Sequence, residues 1–226
     1  MPVKDHNVNQ KQSKMNILIL GATGRTGRLF AQAAVSNNHK VTAIIRDKTK
    51  STVPGVTYLE GSPMDEKLLN TALKGIDAVM VSLNINRTSD NPFAKVISPL
   101  TLISDSVRAL IPAMEKSGVR RIITLSAFGV GDSWKEMPLV TRWFIRYSNL
   151  WKAYQDHDRQ EQVLRQSDLD WTIVRPVMLN DKDVDEYKAI IGKPSSGFIS
   201  RKGVAKFILD AVESGKYEKQ VVTLNG

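Results

Sequence analysis

The sequence predicts an α/β fold: a doubly wound, mostly parallel sheet with helices on both faces. Three observations carry this expectation. From Asn16 onward, short apolar runs alternate with segments of helical periodicity. The first run, Asn16–Leu20, is apolar without alternation, as expected of a strand buried on both faces. That run leads directly into Gly21-Ala22-Thr23-Gly24-Arg25-Thr26-Gly27, a glycine-rich turn that opens a helix.

The turn has a specific physical meaning. Gly21 lets the chain leave the strand tightly, Gly24 lets backbone approach a pyrophosphate, and Gly27 lets the helix pack near the sheet. Phosphates would then face free N–H groups at the positive end of that helix. The spacing is G-x-x-G-x-x-G rather than G-x-G-x-x-G, so the reading depends on the strand before it and the helix after it. Together they indicate a dinucleotide-binding Rossmann unit.

The remaining elements follow in order. A helix over Arg28–Val35 gives way to the polar break at residues 36–40, then to a second strand, Val41–Ile45. Arg46 follows that strand. A basic residue here suits the 2′-phosphate of NADP, whereas an acid would hold the 2′-hydroxyl of NAD; the adjacent Asp47 leaves NAD open. Val56–Leu59 is a third strand, Glu66–Leu73 a helix capped by Asp65, and Ile76–Leu83 a fourth strand ending at Asn84. A loop over Ile85–Ser98 precedes a helix over Leu100–Ser117, which Pro112 should kink. Arg121–Leu125 is a fifth strand, with Ser126 at its end. An aromatic segment containing Trp134, Trp143, Phe144, Tyr147, Trp151 and Tyr154 follows, with helices near Leu139–Asn149 and Lys152–Gln166. These rings could wall a flat substrate or simply pack an excursion onto the domain. Asp170–Pro176 is a sixth strand, Val177–Ser196 a polar loop, and Phe198–Ser200 a short strand. Val204–Val212 reads as a helix and Val221–Leu224 as a last strand.

This gives one domain over residues 15–226, with covering segments near 127–155 and 177–197, after a polar leader at 1–14 that reads as disordered. No apolar run is long enough to span a bilayer, so no membrane partner is expected. The chain has no cysteine, which excludes disulfide and thiol chemistry and fits a reducing, cytoplasmic setting. Its three histidines lie far apart, so no metal site is expected. The net charge of +9 is scattered rather than blocked, which argues against nucleic acid, although it would draw in an anionic dinucleotide.

Four stretches resemble the atypical short-chain dehydrogenase/reductases, and more narrowly the NmrA-like NAD(P)-binding proteins of the biliverdin-IXβ reductase and flavin-reductase type. They are Gly21–Gly27, Arg46-Asp47, Leu125–Phe128 and Asp170–Pro176. The resemblance implies that Thr23, Gly24, Arg25 and Thr26 surround the pyrophosphate and that Arg46 meets the 2′-phosphate. Ser62, Leu83 and Asn84 would line the adenosine and ribose side. Ser126 would lie beside the nicotinamide, with Pro176 to Leu179, including Met178, closing over that ring. The implied cofactor is NADPH, with NAD possible, and the implied acceptor a flavin, quinone or similar flat molecule. A monomer or homodimer is expected.

The sequence also departs from these families. The Tyr-x-x-x-Lys pair is absent: Tyr154 is followed four places on by Asp158, and His157 lies near the lysine position. Ser62 stands where an acid is usual, and Met178 where the flavin-reductase type has a histidine. Tyr154 and Ser126 remain the candidate catalytic side chains. Two functions follow: hydride transfer from NADPH to a flat acceptor, or a non-catalytic NAD(P)-binding redox sensor.

Overall fold

The computed structural model describes residues 13–192 and 197–226. Most of the expected leader lies outside them. The main sheet has eight strands in the order β3-β2-β1-β4-β5-β6-β10-β8. In chain order they are β1 (Asn16–Leu20), β2 (Lys40–Ile45), β3 (Val56–Glu60), β4 (Ala78–Val81), β5 (Arg121–Leu125), β6 (Asp170–Pro176), β8 (Lys188–Ile190) and β10 (Gln220–Asn225). All pairings are parallel except β10 with β8. The strand order reverses between β1 and β4, so the crevice at their carboxyl ends is where a doubly wound sheet takes its ligand. β7 (Met178–Asn180) and β9 (Phe198–Ser200) form a separate two-stranded parallel ribbon.

Helices cover both faces. α1 (Arg25–Ser36) and α6 (Arg201–Ser214) bury Phe30, Ala31 and Ala34 with Val204, Phe207 and Ile208 against one face. α2 (Glu66–Ala72), α3 (Leu102–Ser117) and α5 (Leu150–Arg165) bury Leu69, Val107, Leu110, Met114 and Leu164 against the other. α4 (Leu139–Arg146) lies outside these layers, against α5.

One long-range bond sets the start of α3. Its N-cap residue, Thr101, contributes no side-chain cap. Asp156 of α5 does so instead, accepting from the Ile103 amide at 2.7 Å and from the Ser104 hydroxyl at 2.5 Å. Asp156 is fully buried, and an anion at a helix N-terminus satisfies otherwise unpaired amides there.

The structure corrects several expectations. The stretch expected as the polar loop Val177–Ser196 contains β7 and β8, each only three residues long and too short to carry periodicity; residues 193–196 lie outside the described chain. β4 is shorter than Ile76–Leu83. Its continuation leaves the sheet where Gly21 packs against the Ser82 carbonyl. The first helix of the aromatic segment ends at Arg146, not Asn149, and the second begins two residues early, at Leu150. Pro112 lies within α3 without ending it.

Candidate nucleotide-binding cleft

The turn after β1 is built around close backbone approaches. Gly21 has φ +96°, and a Cβ there would lie 2.5 Å from the Ser82 carbonyl oxygen. A Cβ on Gly27 would lie 2.2 Å from the Gly21 carbonyl oxygen, so the first turn of α1 sits directly on the turn that precedes it. Gly24 is the N-cap of α1 and its amide donates to Gly21 at 3.1 Å. No side chain caps this helix and no acid stands in its first turn, which leaves its positive end available to an anion.

A cleft of about 640 Å³ opens at this point. Its walls come from four strand ends: Gly21, Thr23, Gly24 and Arg28 after β1; Arg46, Thr49 and Lys50 after β2; Gly61 and Pro63 after β3; and Leu83, Asn84, Asn86 and Arg87 after β4. Four lining residues are cationic (Arg28, Arg46, Lys50 and Arg87) and none is acidic. Among the described residues, none of these four pairs with a carboxylate. Arg87 Nε is buried without a hydrogen-bond partner among the described residues. Asp47 is turned to local work. Its carboxylate accepts from the Thr49 amide at 3.0 Å and the Thr49 hydroxyl at 2.6 Å, bonds that hold its pKa below the usual carboxylate value.

The residues expected around a cofactor separate into two groups. Gly21, Thr23, Gly24, Arg46, Leu83 and Asn84 line the cleft, and Ser62 stands between two lining residues. Thr26 and Gly27 are buried in the first turn of α1. The Arg25 side chain reaches across the turn, 3.2 Å from Asp90 and 3.5 Å from Asp181. Asp181 also pairs with Arg201 at 2.7 Å, so two loops and two helix starts are tied together above the turn. The sequence reading missed Arg28, Lys50 and Arg87. Arg28 directly follows the last glycine of the motif, which was a usable signal; Arg87 sits in an irregular loop and carried none.

The second group lies near the ends of β5 and β6, outside the lining of this cleft. Ser126 is buried and its hydroxyl donates to Glu161 at 2.7 Å. Glu161 in turn accepts from Arg175 Nε at 2.9 Å and Nη2 at 2.6 Å. Arg175 also pairs with Asp132 at 2.5 Å. Pro176 is buried at the end of β6, while Met178 is 60% exposed in β7, opposite Phe198.

Tyr154 donates its hydroxyl to the Phe128 carbonyl at 3.2 Å, and burial pushes its pKa up to about 12. A phenol so placed is tied to main chain and is a weak acid at neutral pH. His157 is buried in α5. Burial lowers its pKa against the pull of Glu161 and Asp156, and its Nδ1 has no hydrogen-bond partner among the described residues. Among the described residues, Gln160 Oε1 of α5 and Thr124 Oγ1 of β5 are also buried without partners.

Comparison with known proteins agrees with this geometry. The chain is 31% identical over 112 residues to "Probable pinoresinol-lariciresinol reductase 3" of Arabidopsis thaliana, a match covering 47% of this chain and about a third (36%) of that relative. Its fold resembles that of ChuY, an anaerobillin reductase from Escherichia coli O157:H7, with a TM-score of 0.76, 23% identity, and 93% and 96% of the two chains covered. It also resembles a short-chain dehydrogenase/reductase from Veillonella parvula in complex with NADP, with a TM-score of 0.75, 20% identity and 95% of each chain covered. Residues 21–215 match the family model described as NAD(P)H-binding, and the chain therefore belongs to that family, with the fold of the atypical short-chain dehydrogenase/reductases.

Proposed function

We propose that the protein is an NADPH-dependent reductase that passes hydride to a flat acceptor such as a flavin or quinone. The observation that carries this reading is the charge of the cleft: four cations, no carboxylate, and an open helix N-terminus on one wall. A dinucleotide with an additional 2′-phosphate suits such a wall better than one with a free hydroxyl. Asp47, the acid that would favour NAD, is engaged with Thr49 and absent from the lining. When bound, the nicotinamide supplies the hydride; the protein holds and orients the two rings. Arg46 and Lys50 grip the adenosine end, the turn from Gly21 to Gly27 receives the pyrophosphate, and Ser126 lies toward the nicotinamide. A flavin or quinone needs no strong protein acid, because solvent completes its protonation.

A second reading, a non-catalytic redox sensor, is favoured by one observation: the Tyr154 phenol is tied to a carbonyl and has a raised pKa. Stopped assays of NADPH oxidation with flavins and quinones separate the two. Turnover with at least one acceptor supports the reductase. Tight NADPH binding with no oxidation across the panel refutes it and leaves the sensor.

A further inference from the structure

α4 presents its apolar face outward. Leu139, Val140, Trp143 and Phe144, with Tyr147 just after it, are 73%, 80%, 66%, 42% and 67% exposed. At 3.6 residues per turn they cover an arc of roughly 140°. The opposite side of the same helix carries Ile145, which is buried. An ordinary surface helix has the reverse arrangement. The face is also structured: Trp143 packs on Tyr147 with centroids 5.0 Å apart, and Phe144 meets Phe93 edge-on at 6.0 Å. Asn149 fixes the neighbouring loop by donating its amide to the carbonyls of Phe93 and Ala94 at 3.1 and 3.0 Å. Phe93 extends the surface and is itself 59% exposed.

The two segments that form this face carry cations and no acid, with the exposed Asp90 and Glu136 just outside them. Residues 137–155 contain Arg142, Arg146 and Lys152 and no acid; residues 91–104 contain Lys95 and no acid. The Arg146 guanidinium lies 4.4 Å from the centre of the Trp151 ring, at the edge of the apolar arc. Exposed Trp and Tyr beside aliphatic side chains, flanked by cations, match the headgroup boundary of an anionic bilayer. A second copy fits less well. A two-fold contact would set the cations of these segments against their own copies, since the segments themselves supply no carboxylate.

We propose that α4, with Phe93, is a monotopic docking surface for the anionic leaflet of a phospholipid membrane. This goes beyond the reductase reading and does not rest on it. The expectation of no membrane partner came from the absence of a spanning segment, and no helix among the described residues is long and apolar enough to cross a bilayer. A helix lying in the interface does not need that length.

The test is co-sedimentation of the full chain with vesicles of phosphatidylcholine alone or mixed with phosphatidylglycerol, at low and high salt. The expected result is binding to the mixed vesicles that weakens with salt and a much smaller bound fraction on phosphatidylcholine. The double variant Val140→Ser/Trp143→Ser should lower partitioning by about tenfold or more. These side chains are exposed, so its circular dichroism and NADPH titration should match the parent chain. Failure to bind mixed vesicles, or equal binding by the double variant, would overturn the proposal. Sedimentation velocity supplies the rival outcome. A concentration-dependent dimer that the double variant abolishes, without vesicle binding, would assign the face to a second copy.

Discussion

Arg46 and Gly27 show how a single residue divides recognition from architecture. Arg46 lines the cleft beside Lys50, without a carboxylate partner among the described residues. If it meets the 2′-phosphate, Arg46→Ala removes a charge-assisted bond and weakens NADPH by about ten- to a hundredfold. NADH, which lacks that phosphate, should change little; paired fluorescence titrations check the difference. Gly27→Ala acts otherwise. Its Cβ would lie 2.2 Å from the Gly21 carbonyl oxygen, and neither backbone can yield like a flexible side chain. The variant should lose about 1–3 kcal/mol of stability, measured by urea denaturation, and bind both nucleotides more weakly to a similar extent. Both residues were legible in the sequence, because a glycine spacing and a strand-end cation are local signals. Arg87 was not, since only the fold brings its loop to the cleft.

His157 gives a residue-scale prediction in pH. Burial lowers its pKa in the folded protein relative to the unfolded chain. The unfolded state therefore binds more protons below an ordinary histidine pKa of about 6.5. Stability from this group is fully present above that pH and is lost as pH falls toward the lowered folded value. Between pH 7 and pH 5.5, His157→Gln should lose less Tm than the parent chain. An equal decline in both proteins would contradict the assignment.

At the scale of elements, α3 depends on a partner distant in sequence. Asp156 receives the Ile103 amide and the Ser104 hydroxyl from 50 or more residues away. Asp156→Ala would leave the Ile103 amide buried and unpaired and the Ser104 hydroxyl with only its 3.3 Å bond to the Thr101 carbonyl, and should cost about 1–3 kcal/mol in urea denaturation. Nothing near Leu102 announces this cap, so the sequence could place the helix but not what starts it. β5 and β6 were legible to the residue because each has a β-branched apolar centre, Ile122-Ile123 and Ile173-Val174, bounded by clear end signals. β7 and β8 were not: both lie in a stretch rich in polar residues that reads as a loop, whereas the equally short β9 was legible in Phe198-Ile199-Ser200. The aromatic segment divides similarly. Its composition was visible, but only the structure separates the packed Trp134, 5.1 Å from Trp151, from the outward-facing Trp143.

Across the whole molecule, the strand order places the carboxyl ends of β1, β2, β3 and β4 around one basic cleft, and the ends of β5 and β6 beside it. That order was foreshadowed by the alternation of strands and helices, because right-handed crossovers leave few ways to assemble such a chain. The surroundings of the β5 and β6 ends were less legible. Ser126 was singled out by the resemblance to the flavin-reductase type, yet its bond to Glu161, and through it to Arg175, joins three elements and carried no sequence signal. Net charge acts at this scale too: +9 over the chain favours approach of an anionic nucleotide, and that contribution should fade with added salt.

The most direct measurement is isothermal titration of the full chain with NADPH and with NADH at low salt. The account predicts saturable binding of both, with NADPH tighter by about tenfold or more, since the added 2′-phosphate meets a cationic wall. Absence of heat with either nucleotide, or tighter binding of NADH, would contradict it.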